Sequence, residues 1–222
     1  MPTNYAATHA GTTGLATNKL IRNTYTLLSM TLLFSALTAT LSVYLQVGFG
    51  VSLGCSLVGL GLVWFVLPKT ANSAAGLGVV FLFTGLMGFG LGPTIGHYLA
   101  FPGGTQVVMT ALGGTGVIFL GLSGYALTTR RDFNFMGGFL FVGLLVILGA
   151  SLGNIFFAIP ALSLAISAAV IMLFSGFILY DTGRMVNGGE TNYIRATVGL
   201  YISILNIFTS LLHILGAFGG DD

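Results

Sequence analysis

Seven apolar runs, each about as long as a bilayer-crossing helix, follow one another in this chain with only short polar breaks between them. A hydrocarbon core of about 30 Å takes about 20 residues of α-helix at 1.5 Å per residue. Laid against that ruler, the spans fall at 24–46, 50–67, 76–99, 105–127, 135–157, 160–180 and 196–216. In lipid every backbone N–H and C=O must be satisfied within the chain, so runs of this length are helices. The fold class is therefore all-α and polytopic. Only 5% of the residues are charged, against roughly a quarter in soluble domains, so one aqueous globule cannot hide this apolar surface.

The charges give an orientation. Lys19 and Arg22 precede the first span, Lys69 lies between the second and third, Arg130 and Arg131 between the fourth and fifth, and Arg184 and Arg195 between the sixth and seventh. Seven spans put all seven basic residues on one side, and a miscounted span would scatter them. By the positive-inside rule the N-terminus is expected in the cytoplasm and the C-terminus, ending in Asp221 and Asp222, outside. The same sparse charges, net +2, make no basic stripe of the kind that nucleic acid needs. The single Cys55 allows no disulfide within the chain. The first apolar run starts too late and is too long for a cleaved signal peptide. Residues 1–18 are expected to form a mobile cytoplasmic tail, and 19–222 the seven-helix membrane domain.

Glycine is abundant at 34 residues, many at small-residue spacing inside the spans, such as Gly85, Gly88, Gly90 and Gly92. The hydrophobic effect does not draw helices together in lipid, so close approach through small residues does much of that work. Pro93 removes a backbone donor from the third span and predicts a kink there.

Few constellations suggest chemistry. Gly121-Leu122-Ser123-Gly124 has the form of an intramembrane serine protease motif, with His213 as the conceivable base. Ser123 lies near the basic end of span four and His213 near the far end of span seven, whereas a nucleophile and its base sit about 3 Å apart. Neither lysine lies inside a span, which excludes a retinal Schiff base. His9, His97 and His213 have no metal-ligand spacing. No catalytic residue, metal or cofactor is therefore expected. Trp64 reads as an interfacial anchor.

Asp181 directly follows the apolar run LFSGFILY and is the one carboxylate abutting a span. The helix macrodipole opposes a carboxylate at a C-terminus, so a salt bridge to Lys69 or Arg184 is expected; the alternative is a plain interfacial charge. In span seven, Tyr201, Ser203 and Asn206 put polar groups into apolar surroundings, and Ser203 and Asn206 stand three apart and share a face. They read either as interhelical glue or as the wall of a polar cavity opposite Asp181. The loop Asn187-Gly188-Gly189-Glu190-Thr191-Asn192 supplies glycines for a sharp turn, with Glu190 or Thr191 capping span seven.

The segment NGGETNYIRAT, followed by LYISILNIF and LLHILG, resembles the C-terminal signature of the Bax inhibitor 1 family, the transmembrane BAX inhibitor motif proteins. Gly188, Gly189, Glu190, Asn192 and Arg195 carry the loop part of it. KLIRNTYTLLSMTL, KTANSAAGLGVVFLFTG and ALTTRRDF extend the resemblance over nearly the whole chain from Lys19, toward the bacterial YccA-like branch. The resemblance implies a central seventh helix wrapped by the other six. It also implies a non-enzymatic inner-membrane modulator of the AAA+ protease FtsH. Other members of the family are pH-sensitive calcium leaks in which two aspartates share a proton and a basic residue latches them. Asp181 matches the first aspartate, the second position is Ser203, and Lys69 is the nearest counterpart of the latch. A leak for calcium or protons gated at Asp181 is thus the alternative function.

Overall fold

The computed structural model describes residues 5–219, with side chains from residue 15 onward. Among these residues there are seven long helices and no strand: α1 Tyr5–Tyr44, α2 Phe49–Thr70, α3 Ala74–Leu99, α4 Gly104–Thr129, α5 Met136–Phe157, α6 Pro160–Val186 and α7 Tyr193–Phe218. Every one is long and apolar enough to cross a bilayer. Helix α2 includes a π-helical stretch at Leu62–Val66, from which Trp64 and Phe65 point outward.

Most of the helices overrun the apolar runs at one end or both, because an established i→i−4 ladder carries polar residues readily at its ends. Helix α6 continues six residues past Tyr180, so Asp181 and Arg184 lie within it. Helix α1 has 40 residues, about 60 Å, or twice the thickness of a hydrocarbon core. Its backbone takes in residues 5–18, part of the expected tail; residues 1–4 lie outside the described set.

Helix α7 is the centre of the bundle. Its buried residues, among them Ile194, Val198, Tyr201, Ile207 and Leu212, cover about two-thirds of its circumference at 100° per residue, wider than the apolar stripe of a helix that lies at a surface. The implied ring of six is smaller than expected. Helix α7 packs against α1, α3, α4 and α6, whereas α2 packs only on α3 and α5 only on α6. The side chains explain this: α5 buries one residue, Leu140, and presents Phe139, Val142, Val146 and other apolar groups outward. Such a helix is at home against lipid.

Close backbone approach joins α1 to α3. A Cβ at Gly88 would collide with the Ser35 carbonyl, and one at Gly92 with the Ser42 side chain. These glycines therefore do what small residues do in lipid. Pro93 does not end α3. In the turn that Pro93 weakens, the Ser52 hydroxyl of α2 donates to the Gly90 carbonyl, a side-chain repair of the kind that lets proline persist inside spans.

Candidate functional site

The expected polar cluster lies at the basic end of the bundle. Asp181 is half-buried on α6, and its carboxylate rests on α7 at Gly199. A Cβ placed on Gly199 would lie 2.7 Å from Asp181 Oδ2 and 3.4 Å from its Cγ. Glycine is what admits the carboxylate to this position. Ser203 stands one turn further along α7, fully buried, and its hydroxyl donates to the Gly199 carbonyl at 3.1 Å. Gly199 is thus touched from one side by Asp181 and bonded from another by Ser203.

The expected salt bridge of Asp181 is not formed. Among the described residues the ion pair at this end joins Arg184 to Glu190 at 3.9 Å. The Arg184 guanidinium also donates to the Gly189 carbonyl at 2.7 Å and lies 5.6 Å from the Tyr180 ring centre. The physical reason is local: beyond Arg184 the helix ends, and the loop offers a carbonyl and a carboxylate to the same planar fork. Lys69 does not serve instead: it is exposed at the end of α2 and forms no ion pair among the described residues. Ser203 and Asn206 are not interhelical glue either. Asn206 donates to Ile202 O at 2.8 Å, so both side chains bond back to their own helix.

The loop between α6 and α7 forms a clasp. Gly188 adopts φ +79°, the left-handed conformation that glycine tolerates without strain. Glu190 Oε1 accepts from the backbone N–H of Thr191 and of Asn192, both at 2.9 Å. The expected cap by Glu190 or Thr191 falls instead to Asn192, whose Oδ1 accepts from Ile194 N at 2.9 Å and Arg195 N at 3.1 Å. Glu190 is turned toward the loop N–H groups that precede the helix, which leaves the first helical N–H groups to the Asn192 side chain. The Asn192 amide also donates to Ala71 O at 2.9 Å and Asn72 Oδ1 at 2.7 Å. One side chain therefore starts α7 and ties it to the α2–α3 turn. Asn187 does likewise for the α4–α5 turn, donating to Arg131 O at 3.1 Å. Arg195 is exposed beside the clasp.

Ser123 and His213 are not joined. Helix α6 supplies the partners of His213, Ser167 at 2.8 Å from Nδ1 and Ser163 at 3.5 Å from Nε2. Ser123 is buried in α4, and its hydroxyl has no partner among the described residues. Two features of the centre were not foreseen from the sequence. The Tyr201 hydroxyl donates to Thr84 O at 3.2 Å, leaving Ser35 at 2.7 Å to donate into it, so one phenol links α7 with α1 and α3. Thr197 also approaches α1, its Oγ1 lying 3.3 Å from Thr24 O while its proton goes to Tyr193 O of its own helix at 2.7 Å. A polar residue inside an apolar helix was the only available signal for either.

The fold and the site define a polytopic membrane protein built around its seventh helix, with one carboxylate among the described residues inside a helix, Asp181, set against that central element. The chain belongs to the family described as Inhibitor of apoptosis-promoting Bax1, whose model matches residues 17–220. It is 50% identical over 208 residues to an uncharacterized membrane protein of Vibrio cholerae, covering 94% of this chain and 93% of that one. It is 49% identical over 211 residues to the modulator of FtsH protease YccA of Escherichia coli K12, covering 95% of each. A Pseudomonas aeruginosa protein is 46% identical over 91% of both chains.

Proposed function

We propose that this chain is a multi-pass protein of the bacterial inner membrane that modulates an FtsH-type protease, restraining its degradation of membrane substrates. One observation carries the reading: the 49% identity to the Escherichia coli modulator, spread over 95% of both chains. In this role the protein is a binding partner and not an enzyme. The basic end faces the cytoplasm, in keeping with the side to which lysine and arginine segregate. Helix α1 then projects its N-terminal part toward the compartment of an AAA+ motor, giving the protease a segment to grip. The bundle behind it is closed by glycine contacts and the Asn192 clasp, and it resists extraction. The test is the turnover of a second FtsH membrane substrate in cells that carry this protein, lack it, or carry a form without residues 2–18. Slower turnover with the full chain alone is the expected result; equal turnover in all three contradicts the reading.

A second reading is a calcium or proton leak at Asp181. It is favoured by a half-buried carboxylate that forms no ion pair among the described residues. Flux into proteoliposomes that Asp181→Asn abolishes would support it, and flux absent from both forms would exclude it.

A further inference from the structure

The half of the bundle away from the basic end contains an apolar cavity of about 450 Å³, walled by Leu32 and Ala36 of α1, Leu91 of α3, Leu112 and Gly116 of α4, and Phe208 of α7. Helices α1 and α4 make no backbone contact along their length. Toward the basic end the gap is shut by Tyr25 against Phe119, with ring centres 5.9 Å apart. Beyond that pair it stands open at the side, flanked by the outward-facing Leu33, Leu37, Val117 and Leu120. The mouth therefore opens into the hydrocarbon layer itself, and the cavity wall is continuous with the lipid-facing surface.

We propose that this cavity holds one acyl chain of a membrane phospholipid. Water is a poor occupant, since it needs two to four polar partners and the hydroxyls of Tyr201 and Ser35 on the cavity wall already bond one another. A void of this size is also unfavourable, because its lining loses dispersion contacts on one side. A transmembrane helix, about 10–12 Å across with its side chains, is too wide to enter. A flexible alkyl chain is not. A second observation extends the site. At Val43 the cavity adjoins a recess of about 380 Å³ lined by Ser42, Gln46, Gly92 and Gly96. Ser42 is fully buried there and its hydroxyl has no partner among the described residues. A lipid ester carbonyl accepts such a hydrogen bond, so chain and ester occupy adjoining sites. Among the described residues no charged side chain lines either space, and the site does not read the charge of the headgroup. This inference is independent of the protease reading.

The full-length protein, reconstituted with a phospholipid carrying a photoactivatable diazirine in its acyl chain, tests the proposal. Label should concentrate on the peptides of α1, α4 and α7 that wall the cavity, equally for ethanolamine and glycerol headgroups. Gly116→Trp places an indole in the cavity, starting from a position where a Cβ meets no atom within 4 Å; it should lose that label. Val117→Trp, on the outward face beside it, should keep it. Helical content and a monodisperse elution profile confirm the fold of both. Label spread evenly over all seven helices, label retained in Gly116→Trp, or a cross-linker at position 116 that captures a polypeptide in place of lipid would each overturn the proposal. A preference for the anionic headgroup would overturn the neutral reading of the recess.

Discussion

The Asp181 carboxylate packs on Gly199 of the central helix, not on a basic side chain. That contact sets the spacing of α6 and α7 at the basic end. Gly199→Ala puts a methyl group 2.7 Å from Oδ2, and displacing the short side chain costs about 1–3 kcal/mol, the usual range for overpacking. Thermal unfolding in detergent should show the loss. Asp181→Ala in the same chain should restore most of it, while Asp181→Asn, equal in size, should not. Additive losses in the double variant would disprove the contact.

Asn192 combines a helix cap with two bonds to the α2–α3 turn. Asn192→Ala should cost about 1–2 kcal/mol from the cap alone. Asn192→Asp keeps the accepting oxygen and loses the amide donor, so it should fall between wild type and alanine. Hydrogen exchange in the first turn of α7 separates the roles: faster in the alanine variant, nearly unchanged in the aspartate variant.

The glycines of α3 are not equivalent. Gly88→Ala meets the Ser35 backbone and should destabilise the α1–α3 pair by about 1–3 kcal/mol. Gly78 has open space around it, so Gly78→Ala should be neutral or stabilising by up to about 1 kcal/mol, as helix propensity alone suggests. Unfolding midpoints of the two variants measure the contrast.

Arg184 and Glu190 are in part exposed, at 34% and 17% of their side-chain surface, and lie 3.9 Å apart. Their coupling in a double-mutant cycle should stay below about 1 kcal/mol. Lys69→Ala should leave stability unchanged, because the side chain is exposed and forms no ion pair among the described residues. A large coupling of Lys69 to Asp181 would show that the latch forms.

The seven helices were legible because the bilayer fixes the length of an apolar run, and the partition of basic residues checked the count. The limits of α6 were less so: hydropathy falls at Tyr180, yet the backbone ladder continues to Val186 and carries Asp181 inside the helix. The residues of the site were legible as polar groups in apolar surroundings, but their partners were not. Gly199 has no side chain to signal that it receives a carboxylate, and Arg184 could have turned toward Asp181 or toward the loop. The choice was made by a carbonyl at Gly189 that the sequence does not display. Asn192 was read as part of a turn, and its bonds to Ala71 and Asn72 span more than a hundred residues.

The proposed restraint of an FtsH-type protease acts through the N-terminal segment of this bundle. It is tested most directly by co-reconstituting purified protease with a membrane substrate and measuring degradation with no modulator, with the full chain, or with the chain lacking residues 2–18. The full chain should slow degradation in proportion to its amount, and the truncated chain should not. Degradation at the same rate in all three would contradict the account.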